Sequence, residues 1–238
     1  MFWFDPLYFL FIAPGVLLAL FAEFRVKSAY SRASRIGNSR AMSGRDAARR
    51  VLDANGLQNV GIEESHGVLS DHYDPKAAIL RLSRDVYNGR SIASVGIAAH
   101  EAGHALQHAK GYGPLRIRSA LVPMAMTGGQ LSMLLIMVGL GLMVGMRSSM
   151  GAYMLYAGIG LFSVTVLFQI VNLPVEFDAS RRARVVLAEN GILSHDEMPE
   201  VGRVLNAAAL TYVAATITAI LTLLYYLYRA GLIGGRRD

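Results

Sequence analysis

His100-Glu101-Ala102-Gly103-His104 sets two histidines four residues apart with a glutamate between them, in a segment whose pattern predicts helix. At that spacing both imidazoles fall on one helical face, one turn apart, so two ring nitrogens can converge on one metal ion. Glu101 is then placed to hold and deprotonate a metal-bound water, the arrangement that suits amide hydrolysis. Such a pentapeptide also arises by chance, so its surroundings must decide. Cysteine is absent, and any metal site has to be built from histidine and carboxylate.

A catalytic zinc usually keeps three protein ligands and one open position, so a third ligand is needed. One known arrangement returns a third histidine six residues beyond the second, where this chain has Lys110. His108 shares the helical face but lies two turns, about 12 Å, from His100, which makes it a supporting or surface residue. The better candidate is Glu176 in Leu173-Pro174-Val175-Glu176-Phe177-Asp178-Ala179-Ser180, where Pro174 can open a helix in its first turn. Taken alone, Glu176 reads as readily as an interfacial charge balancing Arg181 and Arg182.

The elements that must position these residues are largely apolar. Hydrophobic residues make up 53% of the 238 and charged ones 17%, too apolar a balance for an ordinary soluble domain. Residues 121–146, 151–175 and 204–228 hold no Asp, Glu, Lys or Arg except for Glu176 and Arg147 just beyond their ends, and each exceeds the roughly 20 helical residues a bilayer requires. A fourth run, Leu7 to Ala22, is expected to stay as an anchor: it lacks a basic leader and a cleavage site, and Phe2, Trp3 and Phe4 suit the interface. Pro14 and Gly15 should kink it without ending it.

The expected order is transmembrane helix 1 at 1–24, a polar domain at 25–118, a transmembrane hairpin of helices 2 and 3 at 119–173, a polar insert at 174–203, helix 4 at 204–230 and a tail at 231–238. The fold class is therefore mainly α, with four transmembrane helices and a small α/β domain between helices 1 and 2. Fifteen of the 23 Lys and Arg residues fall between Arg25 and Arg118 and four between Arg181 and Arg203, so the positive-inside rule puts both polar regions in the cytoplasm. The net charge of +6 follows this membrane geometry, and no nucleic-acid partner is expected.

Within the polar domain, Ser43 predicts a helix start and Gly56 its stop; Val60 to Glu64 and Ala77 to Ser83 predict strands, with a turn at Asp71 to Pro75. Ser91 caps the motif helix, which Gly111 ends after Lys110. The Ala77 to Ser83 strand either offers a free edge to an extended substrate or is internal. Gly139, Gly141 and Gly145 predict close helix contact, and the methionines read as adaptable packing. His72, Tyr73 and Tyr212 are candidates to stabilise an oxyanion, each with a structural reading that is stronger.

His100 to His104 followed, after a hairpin, by Glu176-Phe177-Asp178-Ala179 resembles the membrane gluzincin peptidases of the HtpX and CAAX prenyl protease group. A closer resemblance is to the YugP-like neutral zinc metallopeptidase family of bacterial membranes, carried by Asp71-His72-Tyr73-Asp74-Pro75, Leu80-Arg81-Leu82-Ser83, Ala98 to His104, Leu173 to Ser180 and Asn206 to Tyr212. The resemblance implies a gluzincin-type (zincin) catalytic domain completed by the segment between helices 3 and 4. It implies Zn2+ held by His100, His104 and Glu176, and Glu101 assisting attack of zinc-bound water on peptide bonds. The partners implied are polypeptides in or near a membrane and the lipid bilayer itself, in the bacterial cell membrane.

Ser180 departs from the larger group, which has Asp there to orient a zinc-binding histidine; Asp178 lies about 200° around the helix, so support is expected from Asp71, Asp74 or a water. The alternative function is a non-catalytic membrane scaffold or adaptor that retains a zinc site. A transporter is disfavoured because helices 2 to 4 lack ionisable residues within the bilayer.

Overall fold

The computed structural model describes residues 5–67 and 70–234, so the expected aromatic anchor at Phe2, Trp3 and Phe4 lies outside the described residues. Helix α1 spans Pro6–Ala33, longer than the expected first helix, and Pro14 sits inside it. Proline is favoured at a first turn, where its missing N–H would be unbonded in any case, and Asp5 accepts from the Leu7 N–H at 3.0 Å. Helix α2 (Gly44–Asp53) starts at Ser43, whose side chain accepts from the Asp46 N–H, and Gly56 follows with φ +74°.

Three strands come next: β1 (Gly61–Ser65), β2 (His72–Asp74) and β3 (Ile79–Ser83). Their order is β1-β3-β2, with β3 parallel to β1 from Gly61↔Ile79 to Ser65↔Ser83 and antiparallel to β2 from His72↔Arg81 to Asp74↔Ile79. One expectation changes here, and one open alternative closes. The Asp71 to Pro75 segment is not all turn, because pairing with β3 draws His72, Tyr73 and Asp74 into a strand. β3 is central, so the edge offered to a substrate cannot be its own.

A single turn of helix, α3 (Arg84–Tyr87), leads to the motif helix α4 (Ile92–Ala109). Ser91 caps α4 by accepting from Ser94 N–H, and Gly111 leaves it at φ +61°, as the sequence pattern predicts. Helices α5 (Gly113–Gly145), α6 (Ser149–Glu189) and α7 (Met198–Arg229) complete the chain. Among the described residues, α1, α5, α6 and α7 are long and apolar enough to cross a membrane.

Helix α6 corrects the expectation that Pro174 starts a new helix. It runs through Pro174 without a break, so Glu176 lies in the interior of a 41-residue helix. An interior proline removes one ladder bond and costs about 3 kcal/mol, which the long helical stretches on either side outweigh. Tyr112 Oη donates to Pro174 O at 3.4 Å and Gln107 Nε2 to Val175 O at 2.8 Å, adding bonds beside the interruption.

The chain falls into two compact units: residues up to Phe21, Ile117–Leu173 and from Tyr212 onward form one, while Ala22–Arg116 and Pro174–Thr211 form the other. In the first unit Ile136, Leu140, Leu155, Ile159, Tyr225 and Tyr226 form an apolar cluster. Gly139 is required there, since a Cβ would lie 2.6 Å from the Leu155 N. Gly141 and Gly145 face open space, whereas Gly151 and Gly158 on the facing helix make close approaches of the same kind. In the second unit one core joins Val51 and Leu52 of α2, Val95, Ala99 and Ala102 of α4, Ala183 and Leu187 of α6, and Val201 and Leu205 of α7. That core packs the apolar side of α4 against α6 among others, and fixes where along α6 the histidines of α4 fall.

Candidate metal centre

The site is made where the backbones of α4 and α6 come close together. A Cβ on Gly103 would lie 2.6 Å from the Ala179 carbonyl oxygen and 3.3 Å from its Cα, so only glycine lets these two backbones meet. The approach brings His100, His104 and Glu176 together, with one ligand atom of each within 4.8 Å of the others. Glu176 Oε2 lies 3.3 Å from His100 Nε2 and 3.7 Å from His104 Nε2. The two rings stand nearly perpendicular, at 82° with centroids 4.9 Å apart, as side chains one helical turn apart can.

Both imidazoles use their other nitrogen elsewhere. His100 Nδ1 is 3.1 Å from Ser180 Oγ, and His104 Nδ1 is 3.0 Å from Gln107 Oε1. Gln107 is fully buried and also donates through Nε2 to Asp178 Oδ2 at 2.9 Å. Asp178 in turn pairs with Arg181 and with Arg182. The expectation that Asp71 or Asp74 supports the histidines is therefore overturned: Ser180 itself reaches His100, and Asp178 reaches His104 through the longer arm of Gln107. A serine is short, but it stands on the helix that Gly103 brings close.

Asp71 and Asp74 are occupied within the sheet region. Asp71 Oδ1 accepts from Ser83 N at 2.8 Å and from Ser83 Oγ at 3.0 Å, while Asp74 Oδ2 pairs with Arg81 Nη1 at 2.9 Å. Replacing Asp71 with Ala should cost about 1–3 kcal/mol through the unsatisfied Ser83 donors. Thermal unfolding should register that loss while zinc affinity stays unchanged; a matching fall in zinc affinity would return Asp71 to the metal site.

Glu176 is 2% exposed. Burial alone would raise its carboxyl, but hydrogen bonds and charge from His100 and His104 outweigh burial and hold it well below the usual carboxylate range. Asp178 is likewise lowered: burial opposes ionisation, and Arg182, Gln107 and Arg181 overcome it. A buried carboxylate facing two imidazole nitrogens is a cation site by its chemistry. Tetrahedral zinc with bonds near 2.0–2.1 Å sets its ligand atoms about 3.3–3.5 Å apart, close to the separations of Glu176 Oε2 from the two nitrogens. The donor set fits zinc.

Glu101, the proposed base, is half-buried on α4 and stands outside this three-residue cluster. His108 is exposed and pairs with Tyr73, whose Oη is 2.9 Å from His108 Nδ1. His72 Nδ1 lies 2.8 Å from Ser70 O, and Tyr212 is half-buried on α7.

Gln107 and Gly103 are the residues that motif reading misses. The spacing of Gln107, three residues beyond His104 on the same face, is a signal that could have marked it.

The family model described as "Putative neutral zinc metallopeptidase" matches residues 8–231. A Bacillus subtilis (strain 168) protein, "Putative membrane protease YugP", is 41% identical over 219 residues, covering 92% of this chain and 94% of that protein. No solved structure matches the chain. Two matches over nearly the whole length, meeting at a buried donor set that suits zinc, make this chain a member of the neutral zinc metallopeptidase family.

Proposed function

We propose that the chain is a membrane-embedded zinc endopeptidase in which His100, His104 and Glu176 hold the metal and Glu101 moves the proton. The observation that carries this reading is the convergence of both Nε2 atoms on a buried Glu176 carboxylate, with both Nδ1 atoms turned to Ser180 and Gln107. Zinc, when bound, polarises the scissile carbonyl and acidifies the attacking water.

Glu101 accepts that water's proton as its oxygen adds to the carbonyl carbon, and delivers the proton to the amine nitrogen as the C–N bond breaks. Its half-buried position on the histidine-bearing helix supports this role. His100 and His104 stay neutral ligands and attack nothing. Ser180 and Gln107 keep the rings from turning.

A zincin domain at 25–118, inserted after helix 1 and completed by 174–203, faces the cytoplasm of a bacterial cell, because nineteen of the 23 basic residues lie in those two regions. Substrates are polypeptides in or beside the membrane, since four apolar helices hold the protein there.

The test uses full-length protein in lipid nanodiscs with unfolded and membrane-inserted polypeptides as substrates. About one zinc per chain is expected, with cleavage lost on chelation, regained on zinc addition, and absent in Glu176→Ala, which should no longer retain metal. Cleavage that survives chelation would overturn the zinc mechanism. Zinc retained tightly with no cleavage of any polypeptide would instead favour the scaffold reading.

A further inference from the structure

The geometry points to Gln107 as a positioning residue that fixes the tautomer of His104 and, through Asp178, ties the metal-facing nitrogen of α4 to the helix carrying Glu176. This rests on the zinc-site reading and adds to it a residue outside the H-E-x-x-H pattern. Gln107 is fully buried, so each of its polar atoms must find a partner inside the protein. Its Nε2 has two hydrogens, and two acceptors face it: Val175 O at 2.8 Å and Asp178 Oδ2 at 2.9 Å.

Those two acceptors settle which end of the amide is which. Turned over, the amide would set its oxygen against a carbonyl and a carboxylate, acceptor against acceptor, and its NH2 against His104. The observed orientation is thus imposed from α6, independently of the histidine. Oε1 is left 3.0 Å from His104 Nδ1, and an amide oxygen can only accept. Nδ1 must therefore carry the hydrogen. When the ring gives up a proton to bind metal, the hydrogen held on Nδ1 stays and Nε2, the atom 3.7 Å from Glu176 Oε2, becomes the donor.

The contrast with His100 sharpens the assignment. Ser180 Oγ can donate or accept, so its 3.1 Å contact with His100 Nδ1 orients the ring without choosing a tautomer. Only His104 has a partner of fixed polarity. Asp178 is itself held by Arg181 and Arg182 on α6, so the chain Arg182, Asp178, Gln107, His104 runs from one helix to the other across the site. Gln107 also bonds Val175, the residue before Glu176, so one side chain registers a ligand on each helix.

The experiment is zinc titration of full-length, metal-stripped protein against a chromogenic chelator, comparing wild type with Gln107→Leu, Asp178→Asn and the double variant. Loss of the partner of a metal-ligating histidine typically weakens metal binding about 10–100-fold. Gln107→Leu, which keeps the buried volume, should fall in that range and shift the visible absorption bands of the Co2+-loaded protein. Asp178→Asn should weaken zinc less, and the double variant should be no weaker than Gln107→Leu alone, because both act through one path.

Zinc affinity for Gln107→Leu within about twofold of wild type, or an additive double variant, would overturn the assignment. If Gln107→Leu fails to fold, Asp178→Asn with wild-type zinc affinity and Co2+ spectrum would overturn it as well. Failure of the underlying site reading is distinguishable: wild type would then bind no zinc, or His104→Ala would bind it as tightly as wild type.

Discussion

Glu101→Gln should lower peptide cleavage by at least the 10²–10⁴-fold typical of a lost general base while leaving zinc bound at wild-type affinity. The two halves of this result come from different parts of the structure. The donor cluster consists of His100, His104 and Glu176, and Glu101 is outside it, so an isosteric change of carboxylate to amide removes no ligand. The same change removes the only function proposed for Glu101, since an amide cannot take up the water's proton near neutral pH. Zinc content and single-turnover cleavage on the same preparation check both halves. Undiminished cleavage would remove Glu101 from the chemistry, whereas lost zinc would mean that it helps hold the metal.

What could be read from the chain follows the range of the forces involved. Ser43, Ser91 and Gly111 act on backbone groups within a few residues, and each marks the boundary expected of it. Four apolar runs declare themselves because lipid imposes a minimum length whatever their neighbours are. On the residues alone Glu176 reads equally as ligand or interfacial charge, and the family resemblance favours the ligand; in the structure it lies beside both histidines.

The features that escaped depend on partners far along the chain. His100 and Ser180 are 80 residues apart, and Gln107 and Asp178 are 71 apart, so their contacts exist only after α4 and α6 have packed. In sequence, a serine for an aspartate is a loss of support. Close packing makes the shorter side chain sufficient, and the carboxylate reappears at Asp178 with Gln107 extending its reach. Likewise β2 is too short to be seen as a strand until β3 lies beside it, and Pro174 is a helix start in local chemistry but an interior residue of α6.

Gly103→Ala should cost more than any other single methyl added to α4. On helix propensity alone the change would be favourable by roughly 1 kcal/mol, because alanine is the better helix former. Packing reverses the sign. The added carbon would lie 2.6 Å from Ala179 O, 3.2 Å from its carbonyl carbon and 3.3 Å from its Cα, all of them backbone atoms that no rotamer change can clear. Relief requires moving α6, and the part that moves carries Glu176 three residues before Ala179 and Ser180 immediately after it. Overpacking of this kind costs about 1–3 kcal/mol, and here the displacement also opens the donor cluster, so zinc affinity should fall at least as far as with Gln107→Leu. Gly96, on the same helix, supplies the control: its added Cβ would come no nearer than 3.4 Å to the Val201 side chain, an ordinary contact. Gly96→Ala should therefore be neutral or slightly stabilising in thermal unfolding and should keep zinc. If both alanine variants bind zinc like wild type, the close approach of α4 to α6 is not what assembles the site; if Gly103→Ala alone loses it, the small residue inside the histidine pair matters as much as the histidines it separates.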